Sequence, residues 1–337
     1  MTRVRPPLVA SLGDPAGVGP ELFLKSWTAR EEERLAPFAV VGSLSLMQEI
    51  ADNVPLASVR AIESLAEAGE VFADALPVLD IGPLAYTPGA PTREGAEVAL
   101  ASLTRATELA ITGEASALVT GPIAKAELQD VGFAHPGQTE FVAAACDIAA
   151  EDAVMMLAGP SLKVVPMTVH VSLASVPALL TQDLIASRIR IAAKALARDF
   201  GFTKARIAVA GLNPHAGEQG RMGREEIEVI APAVEALRAE GLDVVGPLAG
   251  DTMFHAAARA NYDLAVCMYH DQALIPIKAL DFDRGVNVTL GLPIIRTSPD
   301  HGTAFSLAGT GRADAGPTIA ALRMAAECAD RRSEQSA

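Results

Sequence analysis

Short apolar runs recur along the chain between longer stretches rich in Ala, Leu and Glu. The runs predict strands at Leu8–Leu12, Phe38–Val41, Pro77–Ile81, Ala117–Thr120, Val154–Leu157, Val164–Val169, Ile207–Ala210, Leu264–Met268 and Val286–Leu290. The stretches between them predict helices at Glu21–Glu33, Thr92–Thr112, Gln182–Asp199, Arg224–Ala239, Thr252–Arg259 and Thr318–Ala329. Within Thr92–Thr112, the positions Ala96, Ala99, Leu100, Leu103, Ala106, Leu109 and Ala110 keep a helical period of about 3.6 residues and mark one buried face. Strand and helix alternate, as parallel βαβ units require. Most of the strands are apolar at every position, so both faces of their sheet need cover. The expected fold is α/β, with three-layer α/β/α domains.

The chain has 337 residues, enough for two domains that each bury a core. No repeat or long linker separates them, and the Gly- and Pro-containing stretch Gly132–Gln138 is the best break. The expected limits are 1–137 plus 300–337 for the first domain and 138–299 for the second. The charged end Asp330–Ala337 reads as a frayed tail.

Charge narrows the function classes. There are 27 Lys and Arg against 41 Asp and Glu, a net charge of 27 − 41 = −14. Such a surface repels phosphate backbones and anionic lipid, and no basic run reverses it, so neither nucleic acid nor a membrane surface is an expected partner. An anionic ligand would need a few Lys, Arg or metal charges to invert the field locally. Cys146, Cys267 and Cys328 are odd in number and widely spaced, which argues against a disulfide framework and thiolate zinc. The N-terminal apolar stretch is broken by Pro6, Pro7 and Asp14, too early for a secretory signal. A cytoplasmic protein is expected.

Histidines supply the first candidate chemistry. His170 ends the run VVPMTVH, His215 lies in NPHAGE just after a predicted strand, and His270 ends LAVCMYH. Carboxyl ends of strands in an open α/β sheet meet along one edge, where ligands bind, so the three can converge despite their separation. Three neutral imidazoles would leave a divalent ion its full charge and an open position. A lone strand-end histidine is ordinarily a hydrogen-bonded structural residue; the threefold recurrence favours a shared ion. His135 and His255 read as surface or packing residues.

Lys278, Arg284 and Arg296 form the clearest local positive cluster, joined by Asn287 as a donor, and they suit a phosphate or carboxylate. Arg284 has the plainer reading of an ion pair with Asp281 or Asp283. Lys278 and Arg296 sit in apolar flanks, IPIK and PIIRT, where a charge is kept for a ligand or a buried acid. Gln138 and Thr139, in PGQTEF, can contact a substrate or cap the helix they open. GDPAGVGPE, Gly13–Glu21, is either a plain strand-to-helix turn or an anion-contacting loop; its glycine spacing does not match G-x-G-x-x-G. The loop Leu212–Glu226 is either a cofactor flap or an ordinary surface loop. Asp271 and Asp251 are candidates for orienting an imidazole or accepting a proton, with helix capping as the alternative.

Together GDPAGVGPE, TGPI-K, GQTEF, VHVSL, NPHAGE, GDT–F, MYHDQ–IP–K and RGVNVTLGLPIIRTSPDHGTAF resemble the 4-hydroxythreonine-4-phosphate dehydrogenase family of pyridoxal-phosphate biosynthesis, over about Ser11 to Ala320. The resemblance implies a fold of the isocitrate/isopropylmalate dehydrogenase type, a homodimer with active sites at the subunit interface, and NAD or NADP as hydride acceptor. It also implies a divalent metal on His170, His215 and His270, and substrate contacts at Thr139, Lys278, Asn287 and Arg296. The family places histidine before the threonine of its G-H-T-E motif, and here Gln138 stands there, which keeps a donor and an acceptor without a titratable charge.

On this basis the expected reaction is metal-dependent oxidation of 4-phosphohydroxy-L-threonine to a 3-oxo acid that loses CO2. Zinc or cobalt suits three histidines, and magnesium suits a shell completed by substrate oxygens. Alternatives are a sister dehydrogenase acting on threonate or erythronate 4-phosphate or on a cis-diol, a metal hydrolase, or a non-catalytic anion-binding module.

Overall fold

A computed structural model of the chain describes residues Arg5–Gln335. Its strands, in chain order, are β1 (Leu8–Ser11), β2 (Phe38–Gly42), β3 (Val59–Ile62), β4 (Leu76–Asp80), β5 (Leu118–Thr120) and β6 (Val154–Ala158), then β7 (Lys163–Pro166), β8 (Arg206–Ala210), β9 (Asp243–Leu248), β10 (Leu264–Cys267), β11 (Val286–Leu290) and β12 (Arg296–Pro299). Contacts divide the chain into two compact units, Met1–Ala150 with Leu292–Ala337, and Glu151–Gly291. Residues 138–150 and 292–299 thus belong with the first unit, where the sequence reading had assigned them to the second.

In the first unit the strand order is β3-β4-β2-β1-β5-β12, parallel at every pairing. Every residue of β1, β2 and β5 is buried, as continuous apolar strands covered on both faces should be. The helix Arg93–Ile111 packs on β1, β2 and β5 through Ala99, Leu103, Ala106 and Leu109. Thr92 caps its start by accepting the Gly95 N–H at 3.0 Å. The helix Gly316–Gln335 packs on β12 and β5. The charged end is therefore helical through Gln335 and not a frayed tail, because Leu322, Ala325, Cys328 and Ala329 form a buried stripe on that helix; Ser336 and Ala337 lie outside the described residues.

The second unit runs β11-β6-β7-β10-β8-β9. β7, β10, β8 and β9 are parallel. β6 runs antiparallel to both β11 and β7, a departure from the all-parallel expectation. A tight hairpin closed by the Gly159 N–H on the Leu162 carbonyl at 2.8 Å forces that reversal. The helix expected at Thr252–Arg259 is broken into a turn, Gly250–Thr252, and a short helix, Ala256–Arg259, which His255 caps by accepting the Ala258 N–H at 3.4 Å. The helix His270–Asp281 packs its Leu274 and Ile277 side on β7 and β10.

Candidate functional site: strand-end histidines and a buried arginine

In the second unit β7, β10 and β8 are consecutive parallel neighbours. His170, His270 and His215 follow their respective carboxyl ends. With strands about 4.8 Å apart, three adjacent ends span roughly 10 Å. The His170 and His270 rings stand with centroids 5.6 Å apart. They border a cavity of about 250 Å³ lined also by Thr168, Val171, Tyr269 and Asp271. Thr168 ties the two strand ends by donating to the Met268 carbonyl at 2.9 Å, and Arg188, from the helix Gln182–Phe200, donates to the Met167 carbonyl at 2.5 Å.

His270 opens its helix, and its Nδ1 lies 2.7 Å from Asp271 Oδ1. A hydrogen bond there leaves Nε2 as the ring's available lone pair, the arrangement by which a carboxylate orients a metal-ligating imidazole. Asp251 is exposed inside the Gly250–Thr252 turn, whose cap is Ala249, so it does not serve as the cap that sequence allowed. That turn packs against the loop carrying His215. Gln272, which sequence reasoning passed over, bridges the same region: its Nε2 donates to the Gly211 carbonyl at 2.8 Å, and its Oε1 accepts the Met268 N–H at 2.7 Å. The donor chemistry of three imidazoles suits a divalent ion. Among the described residues, however, no group of three His, Cys, Asp or Glu side chains is arranged to hold one, and His215 stands outside the His170–His270 pair.

Lys278 is exposed on its helix, with Leu274 and Ile277 taking the inward positions, so its apolar flank reflects helical spacing and not burial of the charge. Asn287 is half-buried on β11 opposite Leu157. Arg284 meets Asp281 through its backbone N–H on the Asp281 carbonyl, while the Asp281 carboxylate accepts the Ser161 N–H at 2.8 Å.

In the first unit the charged flank reading holds a different residue. Arg296 begins β12 and is only 4 % exposed. Its guanidinium donates to Thr120 Oγ1 at 2.7 Å, Gln138 Oε1 at 3.0 Å and Thr139 Oγ1 at 3.3 Å. Burial pulls its pKa down from 12.5 to about 10, opposed by the nearby Glu140 carboxylate, so it stays a cation at neutral pH. Gln138 also donates from Nε2 to the Gly121 carbonyl at 2.9 Å. The helix Gln138–Ala145 is capped by Gly137 without a side chain, so neither Gln138 nor Thr139 spends its polar atoms as a cap. Both face the arginine.

GDPAGVGPE forms the turn from β1 into the helix Gly19–Thr28. Several of its N–H groups are taken up within the first unit: Asp14 N–H on the Pro122 carbonyl at 2.8 Å, Ala16 N–H on Asp14 Oδ1 at 2.9 Å, and Val18 N–H on the Thr303 carbonyl at 2.9 Å. Gly13 adopts φ 79°, and a Cβ there would stand 2.6 Å from the Pro122 oxygen, so glycine is required for the close approach. His135 packs between Phe133 and Phe141 with ring centroids 5.6 and 5.5 Å away.

Two largely parallel sheet halves covered by helices, one with imidazoles after three strand ends and the other with a buried guanidinium, define the class, an α/β enzyme. The family model for the pyridoxal phosphate biosynthetic protein PdxA matches residues 34–325. A 4-hydroxythreonine-4-phosphate dehydrogenase of Erythrobacter litoralis (strain HTCC2594) is 56% identical over 330 residues, covering 97% of this chain and 98% of that protein. The crystal structure of a 4-hydroxythreonine-4-phosphate dehydrogenase from Klebsiella pneumoniae superposes with TM-score 0.86 and 38% identity, covering 98% of this chain and 99% of that one. A terephthalate 1,2-cis-dihydrodioldehydrogenase from Burkholderia xenovorans LB400 follows at TM-score 0.66 and 29% identity, covering 94% and 96%. The chain belongs to the pyridoxal phosphate biosynthetic protein PdxA family and is an oxidoreductase. Among its described residues, no helix is long and apolar enough to cross a membrane.

Proposed function

We propose that the chain oxidises 4-phosphohydroxy-L-threonine with NAD or NADP to 2-amino-3-oxo-4-phosphooxybutanoate, which loses CO2 to give 3-amino-2-oxopropyl phosphate. The observation that carries this reading is the set of three histidines following three neighbouring parallel strand ends, together with the named activity of relatives spanning nearly the whole chain. A divalent ion, zinc, cobalt or magnesium, held by His170, His215 and His270 would supply Lewis acidity to the C3 oxygen before and after its oxidation. Asp271, whose Oδ1 lies 2.7 Å from His270 Nδ1, would orient that imidazole. Asp251 is the carboxylate left to take the hydroxyl proton as hydride leaves C3 for the nicotinamide. Arg296 with Gln138 and Thr139, and Lys278 with Asn287, are the substrate contacts, their cations matched to its anionic groups. Fixed anionic groups keep the C3 hydrogen directed at the acceptor. We read the active form as a cytoplasmic homodimer with its active sites at the subunit interface, for which light scattering at twice the chain mass is the check.

The similarity to a cis-dihydrodiol dehydrogenase, with Gln138 in place of the family histidine, favours one second reading: an oxidation of a different vicinal hydroxyl substrate, such as threonate or erythronate 4-phosphate. The deciding experiment follows reduced nicotinamide absorbance with each phosphorylated hydroxy acid, either dinucleotide and each of the three metals. The reading expects turnover with 4-phosphohydroxy-L-threonine and its loss by at least 100-fold in His215→Ala, on the order of a lost metal ligand. Absence of dinucleotide reduction with every phosphorylated hydroxy acid would sink it.

A further inference from the structure

We infer that Glu226 is a positioning residue for His215, the member of the histidine set that stands apart; the inference rests on the reading of His215 as a metal ligand. β8 ends at Ala210, and the chain then enters five successive left-handed residues, His215, Ala216, Gly217, Glu218 and Gln219, with φ of 52°, 51°, 77°, 41° and 58°. Only Gly217 adopts that backbone without steric cost; the other four carry a Cβ. Such a run persists only where surrounding contacts over-determine it.

The contacts converge on Glu226. It is 3 % exposed, a carboxylate removed from water. Oε1 accepts the Asn213 backbone N–H at 2.7 Å, and Oε2 accepts Asn213 Nδ2 at 3.0 Å. The neighbouring Glu225 takes the second Nδ2 hydrogen at 2.7 Å. A Cβ on Gly217 would stand 2.5 Å from Glu226 Oε2, so the carboxylate fills the space that the turn leaves open. Glu226 also begins a π-helical turn, Glu226–Ile230, which the sequence reading had expected to be ordinary helix. Single π turns concentrate at functional sites.

Asn213 immediately precedes the turn and lies two residues before His215, so fixing its backbone and side chain fixes where the imidazole emerges. Anchoring a surface loop does not call for a buried carboxylate, since desolvating one is costly. Asn213 presents donors on both sides, however, and only an acceptor-only group satisfies them without a clash. An amide at position 226 would turn either its NH2 or its single oxygen toward two donors.

The test is zinc titration of the metal-free protein against a chromophoric chelator, with circular dichroism and thermal melts alongside. Glu226→Gln is expected to weaken zinc binding by about 10- to 100-fold per folded molecule, the range found for groups that orient metal ligands. Glu226→Asp, which keeps the acceptors on a shorter stem, should recover part of the loss. Parent-like zinc affinity in folded Glu226→Gln, beside a His215→Ala variant that has lost zinc, overturns the positioning role and leaves the ligand reading intact. Parent-like affinity in His215→Ala removes the ligand reading and the positioning role with it. If Glu226→Gln does not fold, Glu226→Asp decides: an intermediate affinity supports the role, and an unchanged one refutes it.

Discussion

Arg296 is a charge held out of water by its own strand, and a buried charge is retained only where something repays its desolvation. Thr120, Gln138 and Thr139 take its N–H groups, and the nearby Glu140 carboxylate favours its charged form. Gln138 has both ends of its amide committed, to Arg296 and to the Gly121 carbonyl, so it acts as a strut behind the guanidinium. Changing Gln138 to Glu would place a carboxylate against the arginine and compete with the substrate anion. The expected result is a KM for the phosphorylated substrate raised about 10- to 100-fold, the worth of one charge-assisted hydrogen bond, with kcat changed far less. An unchanged KM would mean that Arg296 does not read the substrate. Little of this was legible along the chain: the apolar flank of Arg296 signalled a buried charge, but the same signal at Lys278 meant only that Leu274 and Ile277 share a helix face.

At the scale of elements, the strands that could be read were those that are apolar throughout, because burial on both faces writes itself into consecutive residues. The ones that escaped notice are instructive. β3 is an edge strand with Arg60 and Ala61 exposed, and β9 is an edge strand containing Pro247, so neither carries a continuous apolar signal. β12 is the opposite case, RTSP, polar at three positions yet wholly buried. Its burial depends on hydrogen-bond partners from other elements, such as the Ala321 carbonyl that accepts from Thr297 at 3.0 Å.

The starts of β8 and β10 are tied by Arg206 and Asp263, in contact through two side-chain bonds of 2.8 and 3.2 Å and the Arg206 backbone N–H at 2.8 Å. The Arg206 guanidinium holds the Asp263 carboxyl below the usual carboxylate range. A depressed folded pKa means that the pair stabilises the fold above the unfolded value near 3.9, and that the gain is lost as pH falls through the lower folded pKa. Asp263→Asn is therefore expected to melt below the parent at pH 7, and the gap should close as pH drops beneath that window. A gap independent of pH would assign the effect to lost packing.

At the scale of the whole molecule, the two units carry different candidate residues. The second holds every proposed metal ligand and the first holds the buried arginine. Removing the metal should therefore loosen one unit selectively, because a ligand stabilises the states that bind it. Hydrogen exchange measured with and without a strong chelator is expected to rise at residues 168–173, 211–220 and 268–272, with β1, β2 and β5 unchanged. Equal change in both units, or none in either, would contradict a metal held by His170, His215 and His270. The net charge of −14 sharpens the point: an acidic surface admits an anionic substrate only where a few local cations overcome its field.

The amino-acid order alone determined the α/β alternation, the strands buried on both faces and the position of three histidines just past strand ends, because burial and helical period are local properties that each segment must satisfy for itself. Sheet order decided the rest. It made β7, β10 and β8 neighbours, set a polar strand in the interior, turned Gln138 toward Arg296 and folded Glu226 into the loop of Asn213. Those pairings join residues far apart in the chain, and a hydrogen-bond partner supplied by another element leaves no period or run in the sequence that needs it.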